Sequence, residues 1–318
     1  MKKYGILLVV LLTAFRGWGQ NDYLKFTDYT TARPLINPAT MGVEEGVGGL
    51  VMYQTSFESS NIRPSLGAFN LNSSIRDKGL AGGVTALYDK YGPYQKVSAY
   101  VALSYKLKVN EGKHLFFGLQ AGVNYVSNDP SKYHWDEEEP GAMEQISLSQ
   151  PNFGFGLHYQ ADKLTLGVAI PEMLYNYYDY ANSRKESGFV AEKLRFYAYG
   201  AYRFDLSQKS VLEPYTYITY AEMDDLQLDL GVRLIFREAF SVALQYRTKQ
   251  AVGIMAKVKL FDDLWVGYSF ENNSDASPNF NSLQEVSVSF RFGKKNKKSD
   301  KGEEKESYDD VINSSRYF

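Results

Sequence analysis

The chain has 318 residues, a formal net charge of −2, 26 tyrosines and no cysteine. The cysteine count excludes a disulfide framework, a thiolate metal site, a cysteine nucleophile and an acylated cysteine. The near-neutral charge gives no support for nucleic acid as a partner.

Lys2 and Lys3, an apolar run from Tyr4 to Phe15 and the sequence Arg16-Gly17-Trp18-Gly19-Gln20 predict a cleaved secretory signal peptide over residues 1–19. Its apolar run is shorter than the roughly 20 residues a membrane helix needs, and no later stretch reaches that length. In a membrane the mature chain must therefore be a closed barrel, because only helices and barrels satisfy every backbone group in lipid. That places it in an outer membrane.

Residues 20–45 form a block that no barrel hairpin needs; its centre, residues 26–42, reads FTDYTTARPLINPATMG. Asn37-Pro38 is a turn former, and Gly42 permits backbone angles closed to other residues, so the segment predicts a sharp corner. Such a corner tucks Tyr29, Leu35, Ile36 and Ala39 into the barrel mouth as a partial plug, or else starts the barrel as a periplasmic lead-in loop.

From residue 46 the chain alternates. In 226–237, Leu226, Leu228, Leu230, Val232, Leu234 and Phe236 share one face and mostly polar residues the other. Val97, Ala99, Val101, Leu103, Tyr105 and Leu107 repeat the pattern. In 194–206, Leu194, Phe196, Ala198, Tyr202 and Phe204 face outward against Arg195, Tyr197, Tyr199, Arg203 and Asp205. Alternating runs fall at 46–57, 64–75, 80–90, 95–108, 114–126, 152–161, 163–170, 193–206, 210–221, 225–237, 239–247, 251–261, 264–272 and 282–292. Many have the roughly 9 to 11 residues of a tilted membrane-crossing strand. Every second connector is short, whereas 127–151, 171–192 and 272–281 are long, the pattern of periplasmic turns and external loops. The prediction is all-β: a transmembrane antiparallel β-barrel of about 14 strands over residues 46–293, whose uniformly long strands and two loop classes a soluble sandwich does not require.

The last strand, 283–292, ends on Phe292, which resembles the aromatic ending by which outer-membrane barrels are recognised for insertion. Residues 294–318 begin with a mixed-charge tract without an apolar face and predict a disordered tail in the periplasm.

Inward positions carry Lys106, Arg195, Arg203, Asp205, Asp229, Arg233, Arg247, Lys257, Glu285 and Arg291. Charges of both signs suggest an ion-paired network filling the lumen, with a selective channel as the competing reading. The histidines, His114, His134 and His158, lie on separate segments with no paired nucleophile, so no catalytic site is expected. The run Asp136-Glu137-Glu138-Glu139 lacks the alternate-residue spacing of a calcium loop; neither a metal nor a cofactor is expected. Trp135, Tyr175, Tyr177, Tyr178 and Tyr180 lie in the long loops and are candidate partner-docking residues.

Phe26, Tyr29, Ile36, Asn37, Pro38, Ala39 and Gly42 match, in register and without a gap, the N-terminal signature of the PorP/SprF family of type IX secretion system outer-membrane proteins, which the chain resembles. Ala32-Arg33 and Thr40-Met41 depart from it. The resemblance implies a FadL-like barrel and a non-enzymatic component of type IX secretion in Bacteroidota that docks, secretes or anchors a surface protein such as a gliding adhesin. Implied partners are a secreted protein's C-terminal domain, periplasmic secretion or motility machinery, and outer-membrane lipid. The alternative is a FadL-like transporter or channel for small hydrophobic molecules.

Overall fold

A computed structural model describes residues 26–56, 64–75, 79–129, 146–179, 184–220, 226–248, 251–261, 263–273 and 282–293. The predicted leader, His134, Trp135, the acidic run, Tyr180 and the charged tail lie outside the described residues.

A helix, α1 (Tyr29–Ile36), and a 3-10 turn (Pro38–Gly42) precede the strands. These are β1 (Val47–Thr55), β2 (Ser65–Ile75), β3 (Leu80–Tyr91), β4 (Tyr94–Asn110), β5 (Lys113–Asn128), β6 (Ile146–Gln160), β7 (Leu164–Ile170), β8 (Tyr175–Asp179), β9 (Arg184–Gly188), β10 (Phe196–Tyr202), β11 (Phe204–Ser207), β12 (Ser210–Tyr220), β13 (Leu226–Phe236), β14 (Phe240–Arg247), β15 (Ala251–Phe261), β16 (Leu264–Asn273) and β17 (Ser282–Phe292). Antiparallel pairing runs around the wall. β1 pairs with β17, and β10 pairs with both β7 and β12. β10 and β11 are two halves of one strand, both paired to β12, so the wall is a closed antiparallel barrel of 14 strands. Closure leaves the wall no unpaired edge, the condition for crossing lipid with strands.

The alternation is inside out relative to a soluble protein. Leu103 is 66% exposed and Leu119 64%, while Asn70 and Asn152 are fully buried. The apolar residues face lipid and the polar ones the lumen. Phe204, Phe236, Phe240, Phe261 and Phe292 ring the short-turn end, which bacterial barrels keep in the periplasm. Tyr53, Tyr88, Tyr125 and Tyr246 stand on the lipid face towards the other end, where a ring in lipid and a hydroxyl in water suit tyrosine.

Four details depart from the sequence reading. β6 starts at Ile146 rather than near 152, because Ser147, Ser149 and Gln150 carry no apolar rhythm and Pro151 has no N–H to signal a strand. The expected loop 171–192 contains the hairpin β8–β9, two polar five-residue strands that pair with each other. Leu194, expected to face lipid, is buried, since it lies before β10 and outside the strand alternation. Asp205, expected in the lumen network, is exposed: β11 is solvent-accessible throughout, a bulge interrupts its pairing, and Asp205 meets Lys163 at 2.9 Å outside the lumen.

The β13–β14 turn has Arg237 and Glu238 at φ 50° and 51°, with the Ala239 N–H donating to the Phe236 carbonyl. Phe236 pairs with Phe240, so the loop has three residues, and its two consecutive left-handed residues give a twist that matches the flanking strands, even without the usual Asn-Gly.

A candidate functional site in the barrel lumen

Residues 26–41 are all buried, inside the wall rather than below it. Local chemistry sets their path. Asp28 caps α1, its carboxylate accepting from the N–H groups of Thr30 (3.1 Å) and Thr31 (3.2 Å) and from both hydroxyls. The helix ends at Asn37, because a residue before proline is pushed out of the helical region: Asn37 has φ −128° and ψ 105°. Pro38 then opens the 3-10 turn, its missing N–H costing nothing in the first helical position.

The wall satisfies this backbone residue by residue. Arg247 donates to both oxygens of Asp229 (3.0 Å each), to Glu271 (2.7 Å) and to the Phe26 carbonyl (2.7 Å). Glu285 accepts from the N–H groups of Thr27 (3.0 Å) and Asp28 (3.1 Å) and from Gln54 (3.3 Å). Arg233 bridges Asp28 (3.3 Å) and Glu213 (3.8 Å), and Lys257 donates to the Thr31 hydroxyl. At the block's end Arg291 meets Glu44 at 2.9 Å. Burial by itself would raise the Asp28 carboxyl, but Arg233, Lys257 and the two threonine bonds outweigh it and hold it well below the usual carboxylate range.

Aromatic rings flank the helix. Tyr29 stacks on Tyr217 (5.1 Å) and Tyr217 on Tyr199 (5.2 Å). Arg33 lies over the Tyr199 ring at 5.2 Å and donates to the Tyr217 hydroxyl at 2.7 Å, which in turn donates to the Tyr29 carbonyl. Asn37 anchors the corner: its amide nitrogen donates to the Leu157 carbonyl and the Tyr199 hydroxyl, both at 3.0 Å, and its oxygen accepts from Ala39 N–H at 2.9 Å. Ser104 donates to the Ala39 carbonyl at 2.8 Å.

Two glycines make room for the corner. A Cβ at Gly118 would lie 2.0 Å from the Ala39 nitrogen, and one at Gly156 2.0 Å from the Asn37 amide oxygen. Gly42 acts differently from its sequence reading: its φ is not in the left-handed region, and its small size admits the Ala81 Cβ, which an added Cβ would approach to 2.8 Å.

Of the charges read from sequence, Asp229, Arg233, Arg247, Lys257, Glu285 and Arg291 come together around this block. Arg203 is buried at the break between β10 and β11, its N–H donated to the Lys163 carbonyl. Lys106 lies 6.0 Å from the Phe116 ring. Arg195 belongs to the opposite mouth, where residues 171–174 fold over the wall as a strap. Asn152 accepts from the N–H groups of Met173 and Leu174 and donates to the Leu174 carbonyl, and Gln120 donates to the Pro171 carbonyl. Glu172 receives Lys96 at 2.7 and 2.8 Å and the Tyr100 hydroxyl at 3.2 Å. Burial would raise its carboxyl, yet Lys96 and Arg195 hold it below the usual range. Tyr175, Tyr177 and Tyr178 lie on β8, directly beyond this strap. His158 meets the Tyr199 hydroxyl at 2.8 Å, and His114 stands 6.3 Å from Phe116.

The sequence reading missed Asp28, Gln54, Glu213, Glu271 and the tyrosine ladder as members of the network. Glu271 and Glu213 do stand at inward positions of alternating strands, a usable signal. Asp28 carried only an N-cap signature, Asp followed by Thr-Thr.

Residues 19–290 match the model of a family described as type IX secretion system membrane protein PorP/SprF. Against curated proteins the sequence finds no match. Among solved structures the chain is similar to the toluene transporter TbuX of Ralstonia pickettii, with TM-score 0.52 and 9% identity over 83% of this chain and 94% of that one. It is also similar to the CymD monoaromatic hydrocarbon channel, with TM-score 0.51 and 13% identity over 83% and 93%. At these identities the likeness is one of fold.

Proposed function

This chain belongs to the PorP/SprF family of type IX secretion system membrane proteins, and on that premise we propose that its barrel docks and anchors an exported surface protein rather than conducting solutes. The observation that carries the proposal is the burial of residues 26–41 inside the wall, fastened by ionic and hydrogen-bonded side chains. A lumen occupied by its own chain leaves the two ends of the barrel as the surfaces for exchange. At the outer end the tyrosines of β8 and the neighbouring strap offer contact to the exported protein's C-terminal domain, a gliding adhesin being one such cargo. At the periplasmic end the short turns and the tail face secretion or motility machinery. No step of this role needs bond chemistry, so the component is non-enzymatic.

Passage of small hydrophobic molecules is the rival, since the solved structures similar in fold include an aromatic-hydrocarbon channel and a toluene transporter. It would require residues 26–41 to leave the lumen or a lateral route around them. Affinity purification of the tagged protein from native outer membranes separates the two. Recovery of a large exported protein or of periplasmic secretion subunits supports docking. A lone barrel carrying lipid or hydrocarbon overturns it.

A further inference from the structure

Residues 26–46 cross the lumen once, and the heights at which the wall holds them set the direction. Phe26 is bonded to Arg247, Thr27 to Gln54 and Glu285, and Asp28 to Glu285. Arg247 is the last residue of β14 and follows Tyr246 of the outer girdle. Gln54 and Glu285 face each other across the β1–β17 pairing, one residue and three residues from the outer ends of their strands. Further along, Asn37 is held by Leu157, three residues from the short-turn end of β6. Glu44 meets Arg291, the residue before Phe292 of the periplasmic ring, and the Gly46 N–H donates to Ser74. The chain therefore descends, from the outer mouth at Phe26 to the periplasmic rim at Gly46, where β1 begins.

A chain arriving at Phe26 from the periplasm would need a second pass beside the first. The block is bonded around the wall: Thr27 to β1, Ala39 to β4, Asn37 to β6, Arg33 to β12, Asp28 to β13, Thr31 to β15 and the Thr27 N–H to β17. A second pass between block and wall would part some of these pairs, and each polar group left buried and unpaired costs about 1–3 kcal/mol. The way out is short by comparison. Three residues of strand are about 10 Å, whereas residues 20–25, between the predicted leader and Phe26, span about 20 Å when extended.

We propose that the chain ahead of Phe26 leaves through the outer mouth and is displayed on the cell surface. The protein then crosses the membrane once as the lumen block and 14 times as wall strands, and the two ends of the described chain lie on opposite sides. The outer face gains a peptide segment beside the strap 171–174 and the β8–β9 hairpin, so any protein that reaches this mouth meets it. The display stands on the path of residues 26–46 and holds whether or not the barrel docks an exported protein.

The test exploits the absence of cysteine from the full-length chain, so that a single introduced thiol reports one position. Asn21→Cys and Asp22→Cys lie ahead of the block, and Lys209→Cys lies on the exposed short turn between β11 and β12. The probe is a maleimide on a polyethylene glycol chain too large for porins, applied to intact cells and then to cells with an opened outer membrane. Each variant is checked for a folded barrel by its resistance to unfolding in cold detergent. Modification of Asn21→Cys and Asp22→Cys in intact cells is expected, with Lys209→Cys modified only after opening. Modification of Asn21→Cys and Asp22→Cys only after opening, in step with Lys209→Cys, overturns the display by placing this segment in the periplasm. Modification of neither until the barrel is denatured overturns it as well, because the segment is then held inside the lumen.

Discussion

Arg247→Met tests whether the lumen is a locked assembly or a loose filling. In the native protein the guanidinium neutralises Asp229 and Glu271 and holds the Phe26 carbonyl, with the Tyr29 ring 5.5 Å away. Methionine keeps much of the volume and removes every donor. Breaking a buried pair leaves uncompensated charge and costs about 3–5 kcal/mol. The orphaned Phe26 carbonyl adds roughly 1–3 kcal/mol. A loss on the order of 5 kcal/mol is therefore expected, enough to be seen as a lowered urea midpoint of the detergent-folded barrel and as faster hydrogen exchange at Thr27 and Asp28. The triple variant Arg247→Met, Asp229→Asn, Glu271→Gln removes the stranded charges together and should regain most of that loss, because replacing a whole buried ion group by neutral residues is often close to harmless. A single variant within about 1 kcal/mol of the native protein, or a triple variant no better than the single, would refute the reasoning.

Deleting residues 21–42 should turn a barrel with little conductance into an open channel in planar bilayers; unchanged conductance sinks the filled-lumen interpretation. Gly118→Val should displace the 3-10 turn, since even a Cβ there lies 2.0 Å from Ala39 N, and should cost about 1–3 kcal/mol of overpacking while leaving the barrel's sheet signal intact. Protection of the residue 26–42 amides should fall slightly or not at all in this variant if the turn can slide aside, and that result would contradict the tight fit. The pH dependence follows from Asp28, whose docked carboxyl is depressed from its ordinary value of 3.8. Its stabilisation is fully present above that value and is lost as pH falls through the lower docked one, so its contribution to the amide protection of the block should stay level from about pH 7 to 5 and fall only in stronger acid. Asp28→Asn should lack that acid step, and a step already present between pH 7 and 5 would argue against this residue as its cause.

The wall was legible because lipid enforces a strict period of two. Strands such as β12, β13 and β15 begin and end within a residue of the sequence reading, since each has lipid on one face and polar lumen on the other. Legibility failed where that contrast disappears. The start of β6 and the β8–β9 hairpin lie beyond the lipid band, where no apolar face is needed. Asp205 keeps the inward phase but has left the lumen, so phase without depth misplaced it. For the candidate site, periodicity supplied which charges point inward but not what they hold. Partners such as Arg247 and Phe26 are 221 residues apart, and Glu285 and Thr27 are 258 apart; no local pattern records such pairs.

The polarity of the lumen acquires a reason once the block is seen inside it. Irregular backbone at membrane depth is tolerated only where protein satisfies its donors and acceptors. Here the carbonyls of Phe26, Tyr29 and Ala39 are met by Arg247, Tyr217 and Ser104, and the N–H groups of Thr27 and Asp28 by Glu285. An apolar wall would pack the same rings but strand those groups, each costing about 1–3 kcal/mol. The inward charges and the N-terminal family signature are thus two halves of one structure. A barrel selected to conduct would gain from a lumen free of its own backbone, whereas one selected to present a rigid mouth gains from filling it. That asymmetry directs attention to the strap and the hairpin at the outer end.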